Sequence, residues 1–178
     1  MVIIVQSEDK VLRKISKEIP ISSITKPAIK KIISEMNEAL NGQYDGVAIA
    51  APQIGVSLRI FIVSSKIFDE NFIKGERLTK QTEFNKKHKP NLVFINPIFK
   101  KVSKDRKLMT EGCLSVRPLY GKVRRATRAT VEAYNEHGKK FTMEGVGLLA
   151  HIFQHETDHL EGILFIDKAK NLQEIFNE

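Results

Sequence analysis

The feature that most constrains the fold is an apolar segment at residues 145–159 that ends in ionisable side chains. The segment is nearly all apolar as far as Phe153, as is typical of a helix buried in a protein core. Its second half contains His155, Glu156 and His159. Histidines four residues apart lie on one face of a helix, so both imidazoles can reach a single cation. The sequence therefore predicts a buried helix that carries two metal ligands.

The pattern His-Glu-x-x-His does not decide the matter by itself. An ordinary amphipathic helix with two half-buried histidines matches the same five residues. In metal hydrolases the glutamate after the first histidine leans over the ion and transfers protons, a role open to Glu156. A third ligand from elsewhere in the chain decides between the two interpretations.

Length and composition predict one soluble globular domain over residues 1–178. Of the 178 residues, 42% are hydrophobic and 28% are charged, which is ordinary for such a domain. No apolar run approaches the roughly 20 residues of a membrane span, and no secretory signal pattern is visible. The single cysteine, Cys113, excludes an intramolecular disulfide and favours a reducing compartment. We therefore expect a cytoplasmic protein without a membrane partner.

The basic residues are not clustered in one part of the sequence. The net charge is +8, from 29 basic and 21 acidic residues, which allows anionic partners. However, the lysines are scattered, in pairs such as Lys30-Lys31 and Lys86-Lys87, without interleaved aromatic residues. This distribution favours a solvated surface, so we expect no specific nucleic acid. Residues 64–90 are polar and lysine-rich, and they predict a long loop to which we assign no role.

The order of apolar patterns predicts an α+β fold. A 3.6-residue period at 27–40, with Pro27 at its start and Gly42 after its end, predicts a helix. Alternation on both sides of residues 135–138 predicts a β-hairpin. Strands are expected at 2–5, 58–63, 92–96, 122–128, 130–134, 140–143 and 163–166, and a short helix at 168–176. These mixed or antiparallel strands would pack around a central buried helix at 145–159.

Candidates for the third metal ligand lie both before and after this helix in the sequence. Phe165 stands where the longer motif His-Glu-x-x-His-x-x-Gly-x-x-His has its last histidine, and Glu174 is conceivable but near the C-terminus. Cys113 is the better candidate, since Gly112 lets the backbone approach a bound group. A thiolate and two imidazoles leave a fourth position for water and suit Fe(II) or Zn(II). The alternative for Cys113 is a small buried hydrophobic residue.

Three segments, in this order along the chain, resemble the peptide deformylases. They are Gly46-Val47-Ala48-Ile49-Ala50-Ala51-Pro52-Gln53, Glu111-Gly112-Cys113-Leu114-Ser115 and Gln154-His155-Glu156-Thr157-Asp158-His159-Leu160, within a resemblance over residues 1–167. The resemblance implies a hydrolase that removes the formyl group from the N-terminal formylmethionine of nascent polypeptides and releases formate. It also implies one divalent metal ion, Fe²⁺ in the native protein, with Zn²⁺ or Ni²⁺ as occupants in a purified sample.

The resemblance also implies roles for individual residues. The metal ligands would be Cys113, His155 and His159. The groups that act on the formyl group would be Glu156, which transfers protons, and two donors to the formyl oxygen, the Gln53 side chain and the Leu114 backbone N–H. The residues beside the bound peptide would be Val47, Ala48, Gly112, Leu148 and His151.

Carboxylates close to the ligands are candidates for supporting roles. Metal-bound histidines normally donate their second ring N–H to a carboxylate or a carbonyl. Glu111 and Asp158 are the acids nearest in sequence to the ligands, and Arg125 is a candidate partner of Asp158.

Two positions depart from the family pattern. Ala48 stands where the family has glycine, so we expect an altered affinity or substrate range. His151 stands where the family has arginine or an aliphatic residue, and we interpret it as a helix-surface histidine at the pocket rim. The expected partners are a formylated nascent peptide and the ribosome, for a monomer in a bacterial-type cytoplasm or an organellar matrix. An ordinary metallopeptidase and a non-catalytic peptide-binding relative are the alternative functions.

Overall fold

The computed structural model describes residues 2–69 and 90–175, which form an α+β structure. The helices are α1 (Pro27–Asn41) and α2 (Leu148–Leu160). The strands are β1 (Ala48–Ala50), β2 (Ile60–Val63), β3 (Leu92–Val102), β4 (Arg106–Gly112), β5 (Leu119–Ala126), β6 (Arg128–Tyr134), β7 (Lys140–Val146) and β8 (Lys170–Glu174). Short 3₁₀ helices lie at Lys10–Arg13, Ile21–Ser23, Ala51–Ile54, Ser65–Phe68 and Phe165–Asp167. Most of the loop predicted at 64–90 lies outside the described residues.

The strands form two sheets. One has the order β1-β2-β3-β6-β7 and the other the order β4-β5-β8, and every pairing between these strands is antiparallel. The predicted hairpin is present, since β6 and β7 pair from Arg128 with Val146 to Tyr134 with Lys140. Gly138 in the connecting turn has a φ of +75°. The predicted α+β class with antiparallel strands is confirmed.

Helix α1 packs one side of the larger sheet. It begins at Pro27, as predicted, and Gly42 follows its last residue. Its buried positions repeat with the helical period and are Ile29, Ile33, Met36, Ala39 and Leu40. These side chains form a core cluster with isoleucines of β1, β2 and β3. Its role is to close the core on this side of the sheet.

Helix α2 packs against the larger sheet through an aromatic cluster. The ring of Phe153 lies 5.2 Å from that of Phe94 and 6.2 Å from that of Phe61, measured between centroids. The helix begins at Leu148, three residues later than predicted, because Gly145 belongs to β7. A Cβ on Gly145 would lie 2.9 Å from a ring carbon of Phe153, so glycine allows the strand and the helix to approach closely.

Strand β3 runs beyond its predicted end at residue 96. The ladder to β6 is irregular between Ile95 and Ile98, where Pro97 has no N–H to donate. Asn96 has a positive φ of 49°, and its side chain bonds the N–H and the carbonyl of Ile19 at 2.9 and 2.7 Å. The proline therefore marks a bulge and not the end of the strand.

The C-terminal segment was predicted as a helix and is a strand. Residues 170–174 are all exposed, so their apolar pattern does not indicate a buried helical face. They complete the smaller sheet instead, since Lys170 pairs with Lys122 and Glu174 with Leu119. Pairing with the free edge of β5 therefore decides their conformation.

Other predicted boundaries also differ. Residues 2–5 form no strand, although the Val5 N–H donates to the Gln53 carbonyl at 2.9 Å. The strand expected at 163–166 is replaced by the 3₁₀ turn Phe165–Asp167. No helix in the described part of the chain has the length and hydropathy needed to cross a membrane.

Gly162 provides a test of how the end of α2 is held. It has a φ of +72°, and a Cβ there would lie 2.7 Å from the carbonyl oxygen of Arg13. We expect Gly162→Ala to lower the free energy of unfolding by about 2–3 kcal/mol, because backbone strain and a backbone collision act together. Urea unfolding followed by circular dichroism measures this loss.

Gly138→Ala is the matched control for this variant. Gly138 has a similar φ of +75°, but the nearest atom to its Cβ would be 3.9 Å away. The control should therefore lose only about 1 kcal/mol, the cost of the backbone conformation. Equal losses in the two variants would show that the contact with Arg13 is not a constraint.

Candidate metal centre

Three side chains with ligand atoms meet at the junction of β4 and α2. Cys113 follows the last residue of β4, and His155 and His159 lie one turn apart on α2. One potential ligand atom from each residue lies within 4.8 Å of those of the other two. The Cys113 Sγ and His159 Nε2 atoms are 3.2 Å apart. The structure thus brings together the three residues predicted as metal ligands.

Glycine at the end of β4 allows this approach. Gly112 pairs with Tyr120 of β5, and a Cβ at this position would collide with the tyrosine ring. The chain then turns, and the Val116 N–H donates to the Cys113 carbonyl at 3.0 Å. The Ser115 N–H lies 3.5 Å from the Cys113 sulfur. The turn holds the thiol beside α2.

His155 is oriented by a buried carboxylate. Its Nδ1 atom lies 2.9 Å from Glu111 Oε2. An ionised carboxylate only accepts, so this contact assigns the ring proton to Nδ1 and leaves the Nε2 lone pair free. The expected support of a ligand histidine by Glu111 is present in the structure.

Arg125 joins this carboxylate to a second one. Its Nε and Nη2 atoms donate to the two oxygens of Glu111 at 2.6 and 3.0 Å, and its Nη1 donates to Asp158 at 2.7 Å. The expected pairing of Arg125 with Asp158 is therefore present. Burial opposes the charge on Glu111, but hydrogen bonds from His151, His155 and Arg125 outweigh it and hold its pKa far below the usual range. Glu111 is thus ionised at any physiological pH.

Burial also shifts the pKa values of three other ionisable groups at the site. Burial raises the pKa of the Cys113 thiol to about 12. Burial, with a contribution from the charge of Glu111, raises the pKa of Glu156 well above its ordinary value. Burial also lowers the pKa of His159 well below its ordinary value, so its imidazole keeps a lone pair. A cation bound among these groups would displace the thiol proton of Cys113 and would be held by the resulting thiolate charge.

One unpartnered carboxylate oxygen at the same place fits a metal ion with a bound water. Glu156 Oε2 and His159 Nδ1 are buried and have no hydrogen-bond partner among the described residues. Buried polar atoms without partners are costly, and a bound ion with its water would supply a partner for the carboxylate. One sulfur and two imidazole nitrogens match the donor preferences of Fe(II) and Zn(II). The residues present therefore fit a divalent transition metal.

Gln53 projects into the site from the 3₁₀ helix after β1. Its Oε1 accepts from the Ala50 N–H at 2.8 Å, which fixes the amide. Its Nε2 then faces Ser115 Oγ at 3.2 Å and Cys113 Sγ at 3.4 Å. The amide thus presents N–H donors beside the sulfur, as a donor to the formyl oxygen would require.

A cavity of about 250 Å³ opens over these groups. The five predicted substrate-binding residues all line it, and they are Val47, Ala48, Gly112, Leu148 and His151. Other predicted site residues in its wall are Gln53, Cys113, Leu114, His155 and Glu156. His159 is not part of the wall and lies 1% exposed behind it. The cavity therefore joins the candidate metal centre to a space for a side chain.

His151 is not the surface residue that the sequence suggested. It is only 9% exposed, and its Nε2 lies 2.8 Å from Glu111 Oε1. Glu111, His151 and His155 also form a second group with ligand-type atoms within 4.8 Å. The bidentate contact from Arg125 to the same carboxylate shows this second group to be a hydrogen-bond network.

Two contacts at the site were missed from the sequence. Ser115 ends the segment at residues 111–115, but its contact with the Gln53 side chain was not predicted. The ion pair between Arg117 and Asp45, 2.7 Å apart, lies at the cavity wall and joins segments 72 residues apart. The spacing of His151 and His155 indicates only that they share a helix face, and no sequence pattern indicates that both contact Glu111.

Comparison with known proteins identifies the family. A family model for polypeptide deformylase matches residues 1–174. The chain belongs to this family. Polypeptide deformylases are metal-dependent hydrolases, and the protein is accordingly an enzyme that removes the N-terminal formyl group from nascent polypeptides. The predicted family, enzyme class and reaction are confirmed.

Individual relatives match over most of their length. The chain is 36% identical to peptide deformylase 2 of Clostridium acetobutylicum, with 90% of each sequence covered. It is 40% identical to the peptide deformylase of Carboxydothermus hydrogenoformans, with 95% of this chain and 93% of the relative covered. The crystal structure of the Thermotoga maritima deformylase matches with a TM-score of 0.77 at 30% identity, over 96% of this chain and 98% of that one.

A neighbouring deformylase structure contains a peptide. The Met-Ala-Ser-bound enzyme of Acinetobacter baumannii matches with a TM-score of 0.77 at 28% identity, over 94% of this chain and 98% of that one.

The Glu111 network provides a test of stability. We expect Glu111→Gln to lower the free energy of unfolding at pH 7 by about 3 kcal/mol, because a buried ion pair loses one charge. Folding lowers the pKa of Glu111 from 4.5, so its contribution is complete above pH 4.5 and decreases as the pH falls below that value. Urea unfolding at pH 7 and pH 3.5 measures both effects.

Glu132→Gln is the control for an acid in a surface ion pair. Glu132 bonds Lys140 at 3.0 Å on the face of β6. This contact is screened by solvent, so the control should change stability far less. A Glu111→Gln variant as stable as the control at pH 7 would contradict the proposed importance of the buried network.

Proposed function

We propose that this protein catalyses the family reaction on N-terminal formylmethionine with Cys113, His155 and His159 as its metal ligands. The convergence of these three side chains with Glu156 beside one cavity is the observation that carries the proposal. We propose Fe²⁺ as the native ion, with Zn²⁺ and Ni²⁺ as alternative occupants of the same donor set. When bound, the metal acts as a Lewis acid that lowers the pKa of a water molecule towards neutrality.

Glu156 would move the protons of the reaction. Its raised pKa, caused first by burial, makes the carboxylate a stronger base than an exposed glutamate. In the proposed sequence it accepts the proton of the attacking water and returns it to the leaving amine of methionine. Its Oε2 is free of other hydrogen bonds among the described residues, so this oxygen is available for the transfer.

Gln53 and Leu114 would stabilise the charge that develops on the formyl oxygen. The Gln53 amide is fixed by its bond to Ala50, so its Nε2 is already positioned beside the Cys113 sulfur. The Leu114 backbone N–H follows Cys113 directly and would be the second donor. Donors of this kind are each typically worth about 3–4 kcal/mol of transition-state stabilisation.

The substrate would lie as an added strand between β1 and the end of β4. Val47, Ala48 and Gly112 would bond its backbone, and the cavity wall at Leu148 and His151 would contact the methionine side chain. Ala48 lies in a strand and is not among the non-glycine residues with positive φ, so its methyl group is accommodated without backbone strain. The Ala48 methyl group would therefore alter the substrate range of the enzyme.

The domain organisation, oligomeric state, location and ribosome contact of the protein are also proposed. We infer a single catalytic domain over residues 1–178, with α2 as its central buried helix, that acts as a monomer. Bacterial relatives and a relative from Arabidopsis thaliana named chloroplastic/mitochondrial support a bacterial-type cytoplasm or an organellar matrix. We propose a ribosome contact for access to nascent chains. Residues 170–174 would not dock as a helix, since they form a strand.

Formate release tests the proposed role of Glu156. The Fe(II)-loaded enzyme, assayed without oxygen, should release formate from formyl-Met-Ala-Ser and leave internal peptide bonds intact. Glu156→Gln should lower kcat by about 10²–10⁴-fold, the usual contribution of a general acid–base, and keep its metal content.

Glu161→Gln is the control, because Glu161 follows α2 and pairs with Arg59 at the surface. Its activity should match that of the unaltered protein. Cleavage of internal bonds would favour an ordinary metallopeptidase, and an absence of formate from the iron-loaded protein would refute the proposed reaction.

Proton release tests the role of Cys113. Because the thiol has a pKa of about 12, binding of Zn(II) at pH 7 should release a proton from it. Calorimetry in two buffers of different ionisation enthalpy counts the released protons. Cys113→Ser should bind the metal far more weakly and release one proton fewer. Unchanged affinity and proton count in this variant would remove Cys113 from the ligand set.

A further inference from the structure

The side chain of Glu111 is held by donors on two sides. Each oxygen lies near one nitrogen of Arg125 and one imidazole nitrogen from α2. On the helix side, His151 Nε2 is 2.8 Å from Oε1 and His155 Nδ1 is 2.9 Å from Oε2. A carboxylate has about four lone-pair positions, so all of them are used.

Three polar side chains on the helix side form a single row. His151, His155 and Asp158 are spaced by four and three residues, which places them on one face of α2. Opposite this face lie Glu111 at the end of β4 and Arg125 on β5, which bond all three residues of the row. The row therefore connects the smaller sheet to the helix over two turns, and His151 is its first contact.

We propose that His151 is a positioning residue that acts through Glu111 on His155. The Nε2–H of His151 holds Oε1 of Glu111, so that Oε2 stays aligned with the Nδ1–H of His155. His155 then keeps its Nε2 directed to the same side as Cys113. The inference rests on the proposed function, since it assigns His155 as a metal ligand.

Arg125 alone does not replace this contact. The guanidinium is shared between Glu111 and Asp158, and it approaches the carboxylate from the side of the sheet. Glu111 and His151 both line the cavity. Without the imidazole, Oε1 faces the cavity with one donor and becomes open to water, which competes for the carboxylate. His151 thus keeps the Glu111 carboxylate aligned with His155 and shields it from water.

A second role for His151, as a wall of the pocket for the substrate side chain, predicts different behaviour. A wall residue affects the KM for formyl-Met peptides and has no effect before the peptide binds. A positioning residue affects how firmly the metal is held when no peptide is present. Measurements on the metal-loaded protein without substrate therefore separate the two roles.

The test compares two substitutions at one position. His151→Leu keeps a similar bulk and removes the donor, whereas His151→Gln keeps an N–H donor. We expect His151→Leu to release Co(II) to a chelator about tenfold faster and His151→Gln to stay within about threefold of the unaltered protein. The visible absorption of the Co(II)-loaded protein should shift in His151→Leu and be restored in His151→Gln.

Leu148→Ala is the matched control for the pocket wall. Leu148 lines the same cavity one helical turn before His151, and its side chain has no donor for Glu111. This variant should raise KM for formyl-Met-Ala-Ser and leave Co(II) release unchanged. His151→Leu, in contrast, should lower kcat as well as metal retention.

The outcomes separate this inference from the proposed function. If the unaltered protein is an active deformylase and His151→Leu retains Co(II) normally, the inference is overturned and the function stands. A change confined to KM overturns it as well.

A measurement on the unaltered protein covers the case in which His151→Leu does not fold. Long-range nitrogen NMR of the imidazole rings should show the proton of His151 on Nε2 and that of His155 on Nδ1. A proton on Nδ1 of His151 would mean that the proposed donor does not exist.

Discussion

The buried contact between Glu111 and Arg125 is the constraint on which the candidate metal centre depends. Two charges removed from water are stable only where every remaining lone pair and proton has a partner. The imidazoles of His151 and His155 and the carboxylate of Asp158 provide those partners. Because the same contacts join the smaller sheet to α2, satisfying the ion pair also sets the distance between β4 and the helix. Cys113 lies two residues after Glu111, so its approach to the helix follows from this pairing.

Much of the candidate site could be predicted because its residues are grouped locally in the chain. The periodicity of a helix is enough to place the imidazoles of His155 and His159 on one face. Cys113 could be proposed from its chemistry as the remaining soft donor, although nothing local indicates that it meets α2. The bond between His151 and Glu111 could not be foreseen in the same way. This bond depends on how closely β4 packs against α2 in the folded protein. From the sequence, an imidazole in an otherwise apolar segment is equally compatible with a residue at the rim of the cavity.

The fold was predictable where one pattern outweighs its alternatives. Helix α1 has a full apolar face and clear end signals, and its predicted start at Pro27 matches the structure. Two predictions were wrong for another reason, because the segment pairs with a strand that is distant in sequence. Residues 170–174 are exposed and have no strong local preference, so the free edge of β5 determines their conformation. Strand β3 continues past Pro97 because its partner β6 accommodates a bulge there.

The unpartnered polar atoms of the site lower the stability of the fold, and apolar packing elsewhere on the same helix offsets this loss. Glu156 and His159 each leave a buried polar atom without a partner among the described residues, and such atoms destabilise a folded protein. The helix that carries them is held on its opposite side by the packing of Phe153 against Phe61 and Phe94, which has no polar requirement. One helix therefore has an apolar face that secures it and a polar face that is left incompletely satisfied. A divalent ion at the candidate centre would bring a water molecule within reach of the Glu156 carboxylate and recover part of that lost stability, so metal affinity and folding stability would be coupled.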